Sequence, residues 1–500
     1  MKKLLRIACA VMVFSLILFP TFPPAVRAGE ETRKTLSRQL DPVVVSGDAT
    51  GPFWGRRIDH MRLYARRDGA WAAVPFQIDK VNPDGDYFIN GNTIPPEVRE
   101  AAGFEDLPEE EKRENRIRMF ERNRGDYEKR VQTGEITRAQ LAELEHIVYT
   151  AENMDYLDWN DEVVFMARDS GDRAPTNAWL TPDGLEIQAT DPLNGRTGWV
   201  YCFHFDNDPP PPSESDYVCY DPAADRVISR FMETGFLPGK PMIVNSIIGK
   251  PPGRPVMPNI LDRFKLRIKV NPIILLCAPL HFDENNTRGV TFGYKDGPVR
   301  VLRRNVFWIM IAGIKLPFAP RIGMWFKFYE NGLAASSNLD LPFDPGFFIC
   351  DGSTFTAGLD FRETIHGARI LTRDNTVMII DGTMNDQEEN LARSDQDWVA
   401  GYLPSGAALM SRMIYDPEMI ARGTKMDLYY LDDASVNDPP EEENGQHMIG
   451  YAIGIKSLPR RYHLGFEIFV AYDFEPSQVQ ELLDIDDSPL VVTSTTADPD

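Results

Sequence analysis

Arg263-Phe264-Lys265-Leu266-Arg267-Ile268-Lys269-Val270 alternates basic and apolar residues without a break. A period of two is the signature of a β-strand, whose successive side chains point to opposite faces. The stretch therefore predicts a strand with four cations on one side and four apolar chains on the other. Its surroundings reinforce the cationic side: Lys240 to Lys327 carries fifteen Lys/Arg against four Asp/Glu, a local charge of +11 in a chain of formal net charge −22. A cationic stripe on an acidic protein calls for an anion, either an external one or another strand of the same chain.

Working outward, the same β texture continues in both directions. Toward the N-terminus, Pro42 to Ser46, His60 to Ala65 and Trp71 to Ile78 are short β runs closed by the turn Asn82-Pro83-Asp84-Gly85-Asp86. Toward the C-terminus, Gly289 to Tyr294, Val299 to Trp308, Trp325 to Tyr329, Met426 to Leu431, His447 to Ile455 and Gly465 to Tyr472 alternate with Gly, Pro and Asp turns. Many short strands without alternating long helices predict a mainly β chain built of antiparallel β-sandwich domains. Residues 95–146 break the pattern. They are dense in charge, with an N-cap at Asp106 and a capping box at Thr137 and Gln140, and predict a helical insertion. The expected organisation is a sandwich over 40–235 interrupted by that insertion, a larger sandwich over 240–475, and a disordered tail at 488–500.

The first 28 residues read as a secretory signal, with Lys2, Lys3 and Arg6 ahead of an apolar core and Val26-Arg27-Ala28 before Gly29. The expected location is therefore outside the cytoplasm, in the periplasm, at the cell surface or beyond. After the signal no apolar run reaches the roughly 18–20 residues that span a bilayer. A sequence pI near 4.8 argues against a nucleic-acid partner. In an oxidising compartment Cys202 and Cys219, which flank a proline-rich loop, are expected to form a disulfide. Cys277 and Cys350 lie in apolar surroundings, with buried free thiols and mutual pairing as the two readings.

Two pairs of segments, Val74-Pro75-Phe76-Gln77-Ile78-Asp79 with Leu157-Asp158-Trp159-Asn160-Asp161-Glu162-Val163-Val164-Phe165, and Gly297-Pro298-Val299-Arg300 with Phe328-Tyr329, carry a resemblance. The chain resembles bacterial exported β-sandwich proteins, in particular the sandwich modules of rhamnogalacturonan-lyase-like and related glycan-processing proteins. The likeness is confined to these motifs. It implies an all-β secreted protein linked to carbohydrate, and no particular activity.

The candidate residues follow from their chemistry. Lys265, Arg267, Lys269, Tyr294, Arg300, Arg303, Tyr329 and His366 supply the cations and rings expected to bind an acidic glycan or another anionic surface. Lyase chemistry would need Arg300, Arg303 or Arg304 to neutralise a uronate carboxylate, and Tyr294, Tyr329, His281 or His366 as base. Asp84, Asp86, Asp158 and Asp161 offer the oxygen ligands calcium takes, in a spacing that matches no EF-hand, so calcium is the one cofactor considered. No GxSxG, P-loop, Rossmann, zincin or CxxC motif occurs. The expected function is a non-catalytic exported envelope protein that binds an acidic glycan or other anionic surface. The alternatives are a polysaccharide lyase and a scaffold or membrane-surface-associated envelope protein.

Overall fold

A computed structural model of the protein describes residues 32–81, 86–91, 154–311, 314–315, 321–341 and 343–496, with scattered positions between 117 and 145. Residues 1–28, expected to be a signal segment, and Asp84 lie outside these residues. Of the insertion, the described positions between 117 and 145 are mostly helical, and Phe120 and Leu141 pack with Trp159. No described helix is long and apolar enough to cross a membrane.

The chain is mainly β, and every sheet is antiparallel. In the first unit a three-stranded sheet (Pro42–Ser46, Glu162–Met166, Gln77–Asp79) faces a five-stranded one (Val491–Thr496, Gly184–Thr190, Thr197–His204, Met61–Arg67, Ala70–Ala73). The alternation that makes these strands also makes their core: Val43, Val45, Leu63, Phe165, Ile187 and Val200 all turn inward. The strand Val491–Thr496 corrects the expected tail. Val-Val-Thr-Ser-Thr-Thr is rich in β-branched residues, and an edge strand exposed on one face can be polar there while its backbone pairs with Gly184–Thr190. The preceding helix, Val479–Asp487, buries Leu482, Leu483 and Ile485. Its last carbonyls are capped by Arg38, which donates to Asp484 O at 2.7 Å and Ser488 O at 2.6 Å.

The second unit is the larger sandwich. Five strands (Leu280–Phe282, Leu261–Val270, Thr354–Phe361, Gln446–Gly454, Met426–Asp433) face a sheet of eleven, whose centre is Ala408–Tyr415, Arg461–Ala471, Gly332–Asp340, Ile322–Tyr329 and Val301–Ile311. A four-stranded sheet over Val218–Gly249 packs on the same core, with Phe236 edge-on to Phe326 and Phe328. Residues 218–235 therefore add to the second core, not the first, because their apolar face meets these phenylalanines.

The cysteine expectation is also corrected. Cys277 and Cys350 are bonded, with Cα atoms 5.8 Å apart, while Cys202 and Cys219 are free. Cys202 pairs across from Leu63 and points into the first core, where burial pushes its thiol up to about 12. Cys219 lies opposite Ile228 in the sheet of the second unit. The two strands belong to different sheets, so the proline-rich loop is a crossing between units and not a hairpin.

One buried carboxyl gives the fold a testable pH dependence. Glu467, on Arg461–Ala471, is 5% exposed, and burial, aided by its hydrogen bond to Asp486, pushes its pKa up to about 9. A carboxyl that holds its proton more tightly when folded stabilises fully below its unfolded pKa of 4.5, and that contribution is lost as pH rises through about 9. The melting temperature is expected to fall between pH 6 and pH 9, and Glu467→Gln should flatten the fall. An unchanged slope in the variant would remove Glu467 from the account.

Candidate functional site

The face of the eleven-stranded sheet turned away from the sandwich core meets the three-stranded sheet of the first unit. The motif residues converge at this seam. Asp79 is fully buried and receives Lys295 Nζ at 2.8 Å, Arg300 Nε at 2.8 Å and Gln77 Nε2 at 2.9 Å. Burial pushes its carboxyl up, and the charges of Arg300 and Lys295 more than reverse this, leaving it below the usual carboxylate range. Gln77 in turn accepts from the backbone N–H groups of Val299 and Arg300 at 3.1 and 2.8 Å. Gly297 makes that approach possible, since a Cβ there would lie 2.4 Å from Gln77 Oε1.

Arg300 is fully buried. Its guanidinium also pairs with Glu162, donates to Tyr329 Oη at 3.4 Å and lies 5.2 Å from the Tyr87 ring centre. Tyr87 Oη reaches Glu162 at 3.0 Å and receives Lys327 Nζ at 2.9 Å. Beyond Tyr87, Trp325 stands edge-on at 5.2 Å, bonded through Nε1 to Asp86 at 3.0 Å, with the Arg304 guanidinium 4.9 Å from its ring. Strand periodicity explains the placement. Trp325, Lys327 and Tyr329 alternate with the core residues Phe326 and Phe328, and Arg304 is the cross-strand partner of Trp325. Burial lowers both the Arg304 guanidinium and the Lys327 ammonium, and raises the phenols of Tyr87 and Tyr329. Neither phenol is thereby suited to act as a base near neutral pH.

The remaining candidates are dispersed, and several expectations fall. Lys265 is wholly buried, with Asp360 and Glu441 both at 2.8 Å from its Nζ. Arg267 pairs with Glu284 and with Asp438, and Arg263 pairs with Glu442 at 2.9 Å. The anion sought by the cationic stripe is thus the chain's own loop Asp438-Pro-Pro-Glu-Glu-Glu443, together with Asp360 and Glu284. Lys269 is half-buried and forms no ion pair with a described residue. Arg303 is buried against Phe236 and held by Asp225 at 2.5 Å and Pro241 O at 2.6 Å, and Tyr294 packs on Tyr220 at 4.7 Å.

His366 is exposed and pairs with another histidine, not with the seam residues. Its Nε2 lies 3.3 Å from Nε2 of buried His447, whose Nδ1 contacts Asp432 at 2.6 Å. The calcium expectation at Asp158 and Asp161 gives way to a lysine: Lys80 Nζ sits 2.9 and 2.6 Å from their oxygens, so an ammonium occupies the place of a metal. Burial, then the charge of Asp158, pushes Asp161 up to about 7 despite that lysine. Asp86 belongs instead to Trp325 and Arg304. Among the described residues no group of three or more His, Cys, Asp and Glu is arranged to hold a metal ion.

The sequence reading missed Asp79, Tyr87, Glu162, Lys295, Trp325 and Lys327 as members of one site. The signal for two of them was present, since Asp79 and Glu162 sit inside the quoted motifs.

No family model matches the chain, and no curated protein matches it. Among solved structures, an alpha-mannosidase from Enterococcus faecalis V583 is similar at 9% identity and a TM-score of 0.42, over 93% of this chain and 45% of that one. The alpha-N-acetylgalactosaminidase NagBb from Bifidobacterium bifidum is similar at 9% identity and a TM-score of 0.32, over 52% and 38%. Slr1438 from Synechocystis sp. PCC 6803 is similar at 9% identity and a TM-score of 0.30, over 54% and 99%. The chain spans less than half the length of that mannosidase. Function therefore rests on the site's own chemistry.

Proposed function

We propose that the protein is a non-catalytic, exported binder of an acidic glycan, and that it binds at the outer part of the seam. The observation that carries this reading is the half-buried pair Tyr87 and Trp325, with the Lys327 ammonium over the first ring and the Arg304 guanidinium over the second. Aromatic rings take the C–H faces of sugars, and a guanidinium stacked over such a ring, as Arg304 is over Trp325, can donate to a uronate carboxylate. The motifs that resemble glycan-processing sandwiches hold this same seam together. Lyase chemistry has less support, because Arg300 already serves Asp79 and Glu162 and the phenols beside it, Tyr87 and Tyr329, are pushed up by burial.

Calorimetric titration with polygalacturonate, and with uncharged dextran as control, tests the reading. Binding to the polyuronate is expected to weaken as salt rises, and to fall by about tenfold in Trp325→Ala and in Arg304→Gln. Release of unsaturated uronate, followed by ultraviolet absorbance, would overturn the non-catalytic part. Equal affinity for dextran would overturn the acidic part, and absence of binding together with co-purifying envelope proteins would favour a scaffold.

A further inference from the structure

The apolar face of the basic strand does not meet a closed core. Phe264, Leu266, Ile268 and Val270 line a cavity of about 280 Å³ between the two sheets of the larger sandwich, opposite Met324 and Leu339. Protein interiors are packed to near-crystalline density, with few voids larger than a water, so a space of this size is a feature of the fold. Its wall is aliphatic and aromatic, broken by few polar groups such as the Ser337 hydroxyl, which is already donated to Gly323 O at 2.8 Å. Such a space repels water and admits apolar ligands.

The cavity opens at one end. Ile268, Val270, Leu339, Leu341, Phe355 and Ile455 face between the sheets yet are only half-buried. At that end the chain leaves Val270 into a loop whose Ile274 and Leu276 are 89% and 94% exposed, beside a second loop whose Phe347 is 77% exposed. Cys277–Cys350 joins the two loops, and Ile273 N–H donates to Phe348 O at 3.0 Å. Water-facing apolar side chains on stapled loops form an unfavourable surface unless something apolar covers them. Two cations neighbour the rim residues in sequence: Lys269, on the outer face of the strand beside Val270, and Lys456, after Ile455 and 2.9 Å from Asp351.

We infer that the large sandwich takes up one acyl chain of an anionic amphiphile drawn from a lipid surface. The stapled loops touch the lipid, the chain enters between the sheets, and the head group stays at the mouth. At about 280 Å³ the cavity is larger than an apolar cavity of about 150 Å³ that stays dry and takes up benzene, and it suits a single chain. This ligand site lies in the sandwich interior and is independent of the glycan seam, which occupies the other side of the eleven-stranded sheet.

The test uses the full chain and a fluorescent acid, 11-(dansylamino)undecanoate. Saturable binding of one probe per chain, displaced by dodecanoate, is expected, and Leu339→Trp should weaken it by about tenfold by filling the cavity. Should that variant fail to fold, Ala357→Leu fills the opposite wall. The exposed triple variant Ile274→Ser/Leu276→Ser/Phe347→Ser should bind the free probe as the parent does, yet extract it from phosphatidylglycerol vesicles about tenfold more slowly. Absence of saturable binding, or wild-type affinity in the filled variant, overturns the cavity. Loss of free-probe binding in the loop variant places the probe on the loops and overturns it equally. Unchanged extraction by the loop variant overturns entry from a lipid surface.

Discussion

Arg300→Met is expected to lower the unfolding free energy by about 3–5 kcal/mol, the cost of breaking a buried ion pair by removing one partner. Arg300 and Asp79 are both fully buried, and the guanidinium is shared between Asp79 and Glu162. Without it Asp79 keeps Lys295 and the Gln77 amide but loses the guanidinium, and the Tyr329 hydroxyl loses its Arg300 donor. Urea denaturation measures the loss. The double variant Asp79→Asn/Arg300→Met should be less destabilised than the sum of its single variants, because the stranded charge is gone. A loss below about 1 kcal/mol, the scale of an exposed pair, would show that water reaches the seam.

The basic strand should respond in a graded way. Lys265→Gln leaves Asp360 and Glu441 facing one another in a dry site and is expected to cost about 3–5 kcal/mol. Arg267→Gln also strands a fully buried carboxyl, Glu284, and is expected to cost somewhat less than Lys265→Gln only because the arginine is 23% exposed and its second partner, Asp438, is 41% exposed. Lys269→Gln should change stability by less than about 0.5 kcal/mol. None of the three should alter polyuronate affinity at the seam. Equal, small effects at all three positions would return the strand to the surface role that its sequence first suggested.

That contrast marks what the sequence made legible. Alternation at 263–270 is a local property, and it correctly indicated a strand with an apolar and a cationic face. What the cations meet is not local: Glu441 and Glu442 lie more than 170 residues away and are brought over by a loop between two strands of the same sheet. The candidate site divides in the same way. Asp79, Glu162 and Arg300 sit in motifs that could be quoted from the sequence, whereas Tyr87 and Trp325 meet only because the first unit packs against the outer face of the large sheet. Cysteine pairing failed for a related reason. Cys202 and Cys219 are close in sequence but in different sheets, while Cys277 and Cys350, 73 residues apart, are joined at one end of the sandwich.

The closing strand Val491–Thr496 has a consequence for how the chain is made. Its partner, Gly184–Thr190, leaves the ribosome some 300 residues earlier, as the pairing of Val491 with Thr190 shows. Throughout that interval one border of the first sheet presents unpaired N–H and C=O groups, the kind of template on which another nascent chain can add. Elongation at about 5–20 residues per second extends this exposure to tens of seconds. The order of synthesis therefore makes the first unit's sheet the last to be completed, and its open border is the element most in need of a chaperone.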